Sequence, residues 1–556
     1  MDRPAHVDYV APACHHKNMR SRLLAAGATL VLAATLLGAP SFGAPPLGAP
    51  PFAAAQSASA ATPTVTRIAG ADQYGIAVRA SRAAFPAAGS AAAVVVVNGE
   101  DYQSAIVAGT AAAALHAPVL YVSQSSMTSA VKKEIARLAP AKIVVVGGTT
   151  LVSSKVVNQL TAQQPNTVRI GSNAYTEAEE LARLAFPGGA DHVYLFPGKK
   201  SPVGVSASAL AATDGAPLLL ARTSDKTVRA AAQALYAELG TTRVTIIGST
   251  ITTTYAAELS KLGITVDRIS ASGSANLAFA IAKRFTAPRG VLVASSTDYE
   301  SAIGVLATAT STRSPIVLTT PYCATPGLLS YLGSSFATSM TIVGSVSVVR
   351  GLVASLEPCR DITDASSAWV FVNKKNKLSP ASYVPSPLKV PSIQRTGTHS
   401  LRTGAANALE DMVAAARSAG AGRIGIVSGY RSYATQKALY ARYVRTNGQA
   451  WADSQSARAG FSEHQTGLAA DLAACSATSC GSIYSIASTS QGKWLAKNSW
   501  KYGFVMRYAK GKTSTTGYAW EPWHFRYVGK ELAADYHAGK FTTLEKYFGK
   551  KAAPKY

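Results

Sequence analysis

Between about Thr64 and Pro358 the chain states one pattern three times, and repetition at this length restricts that part of the molecule to a stack of like modules. Each copy opens on Arg-Ile, at Arg67-Ile68, Arg169-Ile170 and Arg268-Ile269, so the period is 102 and then 99 residues. Each continues into a short apolar run, AAVVVVNG, DHVYLFPG or RGVLVASS, and then into an alanine-rich stretch of helical composition. A proline opens the second apolar run of every copy, as Pro118, Pro217 and Pro315, and the copies close on KIVVVGG, RVTIIGS and MTIVGS. Short β-branched runs without polar alternation, taking turns with helices, predict parallel sheets covered on both faces. The pattern places the units at 64–165, 166–264 and 265–358.

A chain of 556 residues is too long for one hydrophobic core, and 48% hydrophobic content excludes a mostly disordered one. The net charge of +25 is uneven: from Ser366 onward there are 26 Lys and Arg against 9 Asp and Glu, a balance of +17. Such a surface favours polyanions. No nucleic-acid motif accompanies the charge, and the start of the chain directs the expectation to cell wall polymers instead, with no nucleic-acid partner. Residues 23–39 read LLAAGATLVLAATLLGA behind Lys17, Arg20 and Arg22, the make-up of a secretory signal. A Pro-, Ala-, Gly- and Ser-rich segment follows, with Ala53-Ala54-Ala55 as a cleavage candidate, so 1–55 reads as signal peptide and low-complexity segment. The 17-residue run is short for a membrane span, and no other stretch is apolar enough, so no stable span is expected after cleavage. Cys14 precedes the run. The other four cysteines suit an exported chain, and proximity pairs Cys323 with Cys359 and Cys475 with Cys480. Metal binding by Cys475 and Cys480 beside Asp471 is the alternative.

Chemistry gathers near the end of the chain. His464 and Asp471 stand seven apart in Ser462-Glu463-His464-Gln465-Thr466-Gly467-Leu468-Ala469-Ala470-Asp471, and Glu521-Pro522-Trp523-His524 follows. A catalytic zinc takes three protein ligands from His and Asp or Glu, and a further carboxylate takes the proton from water. We read His464, Asp471 and His524 as the ligands of Zn²⁺ and Glu521 as the base. Gly467 allows the turn between His464 and Asp471, while Trp494, Trp520, Trp523 and Tyr527 read as core and surrounding packing. Residues 401–420 form an amphipathic pattern with Leu401, Ala405, Leu409, Met412 and Ala416 on one face, and Arg423 to Val427 form a strand that delivers Ser428 to Arg431.

These motifs, with Ser428-Gly429-Tyr430-Arg431-Ser432-Tyr433, Gln436, Y-G-F-V-M-R-Y and T-G-Y-A-W-E-P-W-H-F-R-Y-V-G, resemble the VanY-type D-alanyl-D-alanine carboxypeptidases over about 366–556, behind a connector and entry arm at 359–400. The resemblance implies an α+β zinc peptidase domain acting on peptidoglycan stem peptides, with Arg431 stabilising the transition state and Ser462, Gln436 and Tyr430 holding substrate. It leaves D,D- against L,D-carboxypeptidase and endopeptidase open, and a catalytically silent wall-binding surface protein is the other class. The three units resemble clostridial-type cell wall binding repeats, whose P-I-L-L core reads here P-V-L-Y, P-L-L-L and P-I-V-L. That resemblance implies flavodoxin-like α/β units about a pseudo-threefold axis and attachment to anionic cell wall polymers. The second glycine of the closing pair survives only as Gly148, being Ser249 and Ser345 elsewhere, and no phosphate-binding glycine motif follows any strand. The expectation is a multidomain, secreted, cell wall associated protein.

Overall fold

Strands that carry apolar residues at every position need cover on both faces, and Val94 to Val97 are wholly buried, as are Val144, Val244 and Val293 in related strands. The computed structural model describes residues 63–556 except 223–227, 299 and 336; the expected signal segment at 1–55 and Cys14 lie outside them. Twelve strands come first: β1 (Thr64–Ile68), β2 (Ala93–Asn98), β3 (Val119–Val122), β4 (Lys142–Val146), β5 (Thr167–Ile170), β6 (His192–Pro197), β7 (Leu218–Ala221), β8 (Arg243–Ile247), β9 (Thr265–Ile269), β10 (Val291–Ser295), β11 (Ile316–Thr319) and β12 (Ser339–Val343). They form three parallel sheets in the orders β3-β2-β4-β5, β7-β6-β8-β9 and β11-β10-β12-β1. In each, the chain leaves a central strand for one side and then crosses to the other, the order of the first four strands of a flavodoxin-like sheet.

The sheets run one strand out of phase with the sequence repeat. The Arg-Ile strand that opens each copy is the edge strand of another copy's sheet, and β1 completes the third sheet beside β12. The arginine explains the position. Arg169 donates to the carbonyls of Gly147 (2.6 Å) and Val152 (2.7 Å), Arg268 to Gly248 (2.6 Å) and Ile251 (3.0 Å), and Arg67 to Gly344 (2.8 Å) and Val349 (2.9 Å). Each guanidinium thus satisfies carbonyls in the turn behind the neighbouring strand, with charge-assisted bonds.

The helices Tyr102–Ala114, Gly204–Thr213 and Leu306–Ser311 follow the first strand of each sheet and touch one another pairwise. The first two are buried on nearly every side, which suits their composition of Ala, Val and small residues. Gly109 sits where they meet: a Cβ there would overlap Leu306 Cδ1 and Ser208 Oγ.

The last part holds β13 (Leu388–Lys389), β14 (Gln394–Arg395), β15 (Leu401–Arg402), β16 (Arg423–Ser428), β17 (Ala469–Cys475), β18 (Phe504–Met506) and β19 (His524–Tyr527). A five-stranded sheet runs β14-β16-β17-β19-β18, and β13 pairs with β15. The expected helix spans Thr403–Ser418, beginning after Leu401 and Arg402 because those two residues pair with Leu388 and Lys389. It buries Ala405, Leu409, Met412 and Ala416, as its spacing requires.

The third repeat and the last domain share a core. Cys323 and Leu352 pack with Trp369, Phe371, Val528 and Leu532. The buried Arg350 donates to Tyr547 O (3.2 Å) and lies over the Phe541 ring, and Asp535 accepts from Gly351 N (2.7 Å). Cys323–Cys359 and Cys475–Cys480 are both disulfides, so Cys475 and Cys480 are not available as thiolate ligands. Among the described residues no helix is long and apolar enough to cross a membrane.

Candidate metal centre

Strand register assembles the site. Asp471 of β17 lies opposite His524 of β19 on one side and Ser428 of β16 on the other. A register shift between Ile426 and Ser428 brings Ser428 to Asp471, a bulge of the kind that re-aims side chains at a sheet end. His464 arrives on the 3-10 turn Glu463–Thr466, which Gly467 ends at φ +68° before the chain enters β17. A Cβ at Gly467 would also press on Arg402 and Pro385 at 3.1 Å each, so conformation and space both call for glycine.

Both imidazoles are aimed by partners behind them. His464 Nδ1 lies 2.8 Å from Gly429 O, an acceptor only, so Nδ1 carries the proton and Nε2 presents its lone pair. His524 Nε2 faces Glu463 Oε2 at 3.3 Å, which leaves its Nδ1 lone pair inward. The inward atoms meet at Asp471: His464 Nε2 is 3.2 Å from Oδ2 and His524 Nδ1 is 3.2 Å from Oδ1. One ligand atom from each of the three buried residues lies within 4.8 Å of the others. Asp471 Oδ1 is buried with no hydrogen-bond partner despite that short approach. Two imidazole nitrogens and an unsatisfied carboxylate oxygen turned to one point fit a zinc-type cation, with Gly429 O and Glu463 behind the two rings to orient them.

Without a cation the clustered groups share protons, and a metal binding there must displace the second proton of His524. Burial pushes the Asp471 carboxyl up, but His464 and His524 hold it well below the usual carboxylate range. Burial lowers His464, with Asp471 only partly opposing it. Burial also lowers His524, but the Asp471 and Glu463 carboxylates facing its two ring nitrogens outweigh this and, with no cation present, raise it to about 10. Glu521 Oε2 lies 3.6 Å from His524 Nδ1. Burial, reinforced by Asp471 and Glu463, pushes the Glu521 carboxyl up to about 8.

Glu463 has no role in the sequence reading, yet it anchors the site. It is 2% exposed and takes Arg507 Nε at 2.9 Å and Arg526 Nη1 at 3.0 Å as well as His524. Arg507 continues to Glu545 at 2.8 Å. These arginines hold Glu463 far below the usual range against the effect of burial. The signal available in the sequence was its place directly before His464; its partners lie 44 and 63 residues away.

Arg431 lines a cavity of about 290 Å³ together with Glu521, the two histidines and Ser462. Ser428 Oγ (2.8 Å) and Gln436 Oε1 (2.9 Å) accept from its guanidinium and fix its direction. Two residues expected at the substrate stand away from the cavity wall. Gln436 is fully buried, its amide spent on Arg431, Ser456 Oγ and Ala457 O, so it positions Arg431. Tyr430 lies outside the cavity lining, with its backbone N–H bonded to Ser400 O. Trp523 lines the cavity beside the exposed Tyr484, which packs edge-on against it.

A family profile described as D-alanyl-D-alanine carboxypeptidase matches residues 398–530, and one described as cell wall binding domain 2 matches 67–157. YodJ of Bacillus subtilis (strain 168), named as a carboxypeptidase, is 39% identical over 205 residues, which cover 36% of this chain and 73% of that protein. A D-alanyl-D-alanine carboxypeptidase of Enterococcus faecium is 36% identical over 142 residues, 26% of this chain and 42% of that protein, so the chain spans less than half of that relative. A zinc(II) complex of a mutant vancomycin-resistance D,D-pentapeptidase VanY is 31% identical, covering 32% of this chain and 97% of that one, with a TM-score of 0.28.

Proposed function

From the premise that the chain belongs to the VanY-type D-alanyl-D-alanine carboxypeptidase family, we propose that it is a secreted, wall-attached zinc peptidase that removes the terminal D-alanine of peptidoglycan stem peptides. The observation that carries the reading is the convergence of the His464, His524 and Asp471 donor atoms, with Glu521 and Arg431 facing the same cavity. In this reading His464 Nε2, Asp471 and His524 Nδ1 hold the zinc. Bound there, zinc supplies Lewis acidity toward a carbonyl and a water.

The residues do the rest. Glu521 takes a proton from the attacking water and passes it to the leaving amine, for which it must be ionised at the start. A divalent cation beside it lowers its pKa from the raised value of the metal-free protein. Arg431, braced by Ser428 and Gln436, sets a fixed cation where oxyanion charge develops; in a cavity screened from water this needs no reorganisation. Ser462, at the cavity wall, contacts the substrate. The three repeats, read as a pseudo-threefold group around their touching central helices, attach the protein to anionic wall polymers. Elemental analysis of the purified protein tests the metal assignment: about one zinc per chain is expected, lost in His464→Ala. Equal zinc in both proteins rejects these ligands.

A further inference from the structure

The helix that follows the last strand of each sheet bridges to a neighbouring sheet. Gln73–Ala84, behind β1, lies against β3 and the helix Leu306–Ser311. Ala174–Ala185, behind β5, lies against β7 and Tyr102–Ala114. Ser274–Ala282, behind β9, lies against β11 and Gly204–Thr213. The fourth residue of these helices is Ile76, Glu177 and Leu277 in turn. Two of the joints are thus apolar at this position, with Ile76 buried and Leu277 packed on the same core. The remaining one holds a carboxyl that is wholly buried.

Glu177 shares one hydroxyl with a second acid. Ser104 Oγ, on Tyr102–Ala114, meets both Asp101 Oδ2 and Glu177 Oε2, and a hydroxyl has a single hydrogen to give. One of the two carboxyls must therefore bring a proton of its own. The buried one does: Glu177 donates to Ser104 Oγ, which donates to Asp101. The other Glu177 oxygen, Oε1, is buried with no hydrogen-bond partner, a place that a neutral carbonyl oxygen tolerates better than half of an anion. Among the described residues the charged groups that bear on Glu177 are Asp101 and Glu180, and Glu180 accepts from Gly171 N at 2.9 Å. β7, packed against the helix, supplies only Leu218 to Ala221, and the Arg222 that follows lies over the Tyr175 ring. Burial, reinforced by Asp101 and Glu180, pushes the Glu177 carboxyl up to about 7 against the effect of Ser104.

We infer that this joint is a proton-operated latch between the first and second sheets. With Glu177 neutral, the hydrogen bonds from Glu177 to Ser104 to Asp101 tie the helix Ala174–Ala185 to Tyr102–Ala114. Loss of the proton sets two carboxylates against one hydroxyl in a buried place and parts the two helices, while the joints at Ile76 and Leu277 hold. An unfolded glutamate titrates at about 4.3, so between about 4 and 7 the folded joint binds the extra proton, and its stability falls as pH rises through that window.

Hydrogen exchange of the full-length protein, followed by mass spectrometry at about pH 5 and about pH 9, tests the latch. Glu177→Gln keeps the shape and a donor for Ser104 but does not titrate. Glu177→Leu installs the side chain that stands at this position of Ser274–Ala282. Comparison with the variants at each pH cancels the intrinsic pH dependence of exchange, and if one variant fails to fold the other gives the same comparison. Relative to them, exchange of Tyr102–Ala114 and Ala174–Ala185 in the wild-type protein should rise on the order of 10²-fold between the two pH values. Exchange of Gln73–Ala84 and Ser274–Ala282 should change alike in all three proteins. The infrared spectrum of the wild type at about pH 6, less that of Glu177→Gln, should carry the carbonyl band of a protonated carboxyl. A missing band, or an alkaline loss of protection equal in all three proteins, overturns the inference. So does calcium that restores protection at about pH 9, because the two carboxylates then hold a cation in place of a proton.

Discussion

Glu463→Gln removes one charge from the centre of the buried network behind the metal site. In the wild-type protein the carboxylate meets Arg507 Nε at 2.9 Å, Arg526 Nη1 at 3.0 Å and His524 Nε2 at 3.3 Å, with 2% of the residue exposed. A glutamine amide keeps one acceptor oxygen and turns an NH₂ donor toward partners that are themselves donors. Removing one member of a buried ion pair costs about 3–5 kcal/mol, because the remaining charge stays buried. Arg507 keeps Glu545 at 2.8 Å, which favours the lower end, about 3 kcal/mol. For a domain of this size that lowers Tm by about 6–12 °C. The second effect is on metal: without an anionic acceptor at Nε2, His524 is no longer held with Nδ1 inward, and zinc affinity should weaken by about 10–100-fold. Calorimetry of the zinc-free protein reads the first effect and chelator competition the second. A variant that unfolds at the wild-type temperature and holds zinc equally well refutes the positioning role of Glu463.

Glu521→Gln should keep zinc and lose turnover by about 10²-fold or more, as loss of a general base requires; near-normal turnover moves that role elsewhere. The same variant has a pH signature without metal. Glu521 stands at about 8 in the fold and near 4.3 in an unfolded chain, so between these values the folded state binds more protons. Stability of the zinc-free wild-type protein should therefore fall as pH rises from about 4 to 8, and Glu521→Gln should flatten that fall when Tm is followed against pH. Gly109→Val should destabilise the repeats by about 1–3 kcal/mol in denaturant unfolding, because its side chain must displace Leu306 and Ser208. A fragment beginning at Ser366 should be less stable than the same residues in the whole protein and expose apolar surface to dye binding, since it uncovers Trp369 and Phe371, which pack with Cys323 and Leu352 of the third repeat.

The strands of the repeats were legible because uninterrupted β-branched runs have few other fates, and the Pro-marked second strand recurs with each copy. The phase of the sheets was not legible: a tandem repeat reads the same whether Arg67, Arg169 and Arg268 start one sheet or finish another, and only the carbonyls that receive their guanidinium groups decide. The histidines and carboxylates of the metal centre stood out by local spacing, and the ladder of β16, β17 and β19 brings Ser428, Asp471 and His524 together as the motif order suggests. Glu463, Arg507, Arg526 and Glu545 form their network over 38 to 63 residues, a separation with no local period to betray it. The place of Gln436 was not legible, because sequence does not say whether an amide beside an arginine faces solvent or, as here, lies fully buried and bonds to that arginine. The joint between the third repeat and the peptidase part was hidden for a similar reason: Leu352, Trp369 and Leu532 look like the edges of separate cores until the fold packs them as one.

The most direct test of the central claim is mass spectrometry of a stem pentapeptide ending in D-Ala-D-Ala after incubation with the zinc-loaded full-length protein. The account requires a tetrapeptide product lighter by one alanine residue, formed by the wild-type protein and not by Glu521→Gln. An intact pentapeptide, or the same product from both proteins, would contradict it.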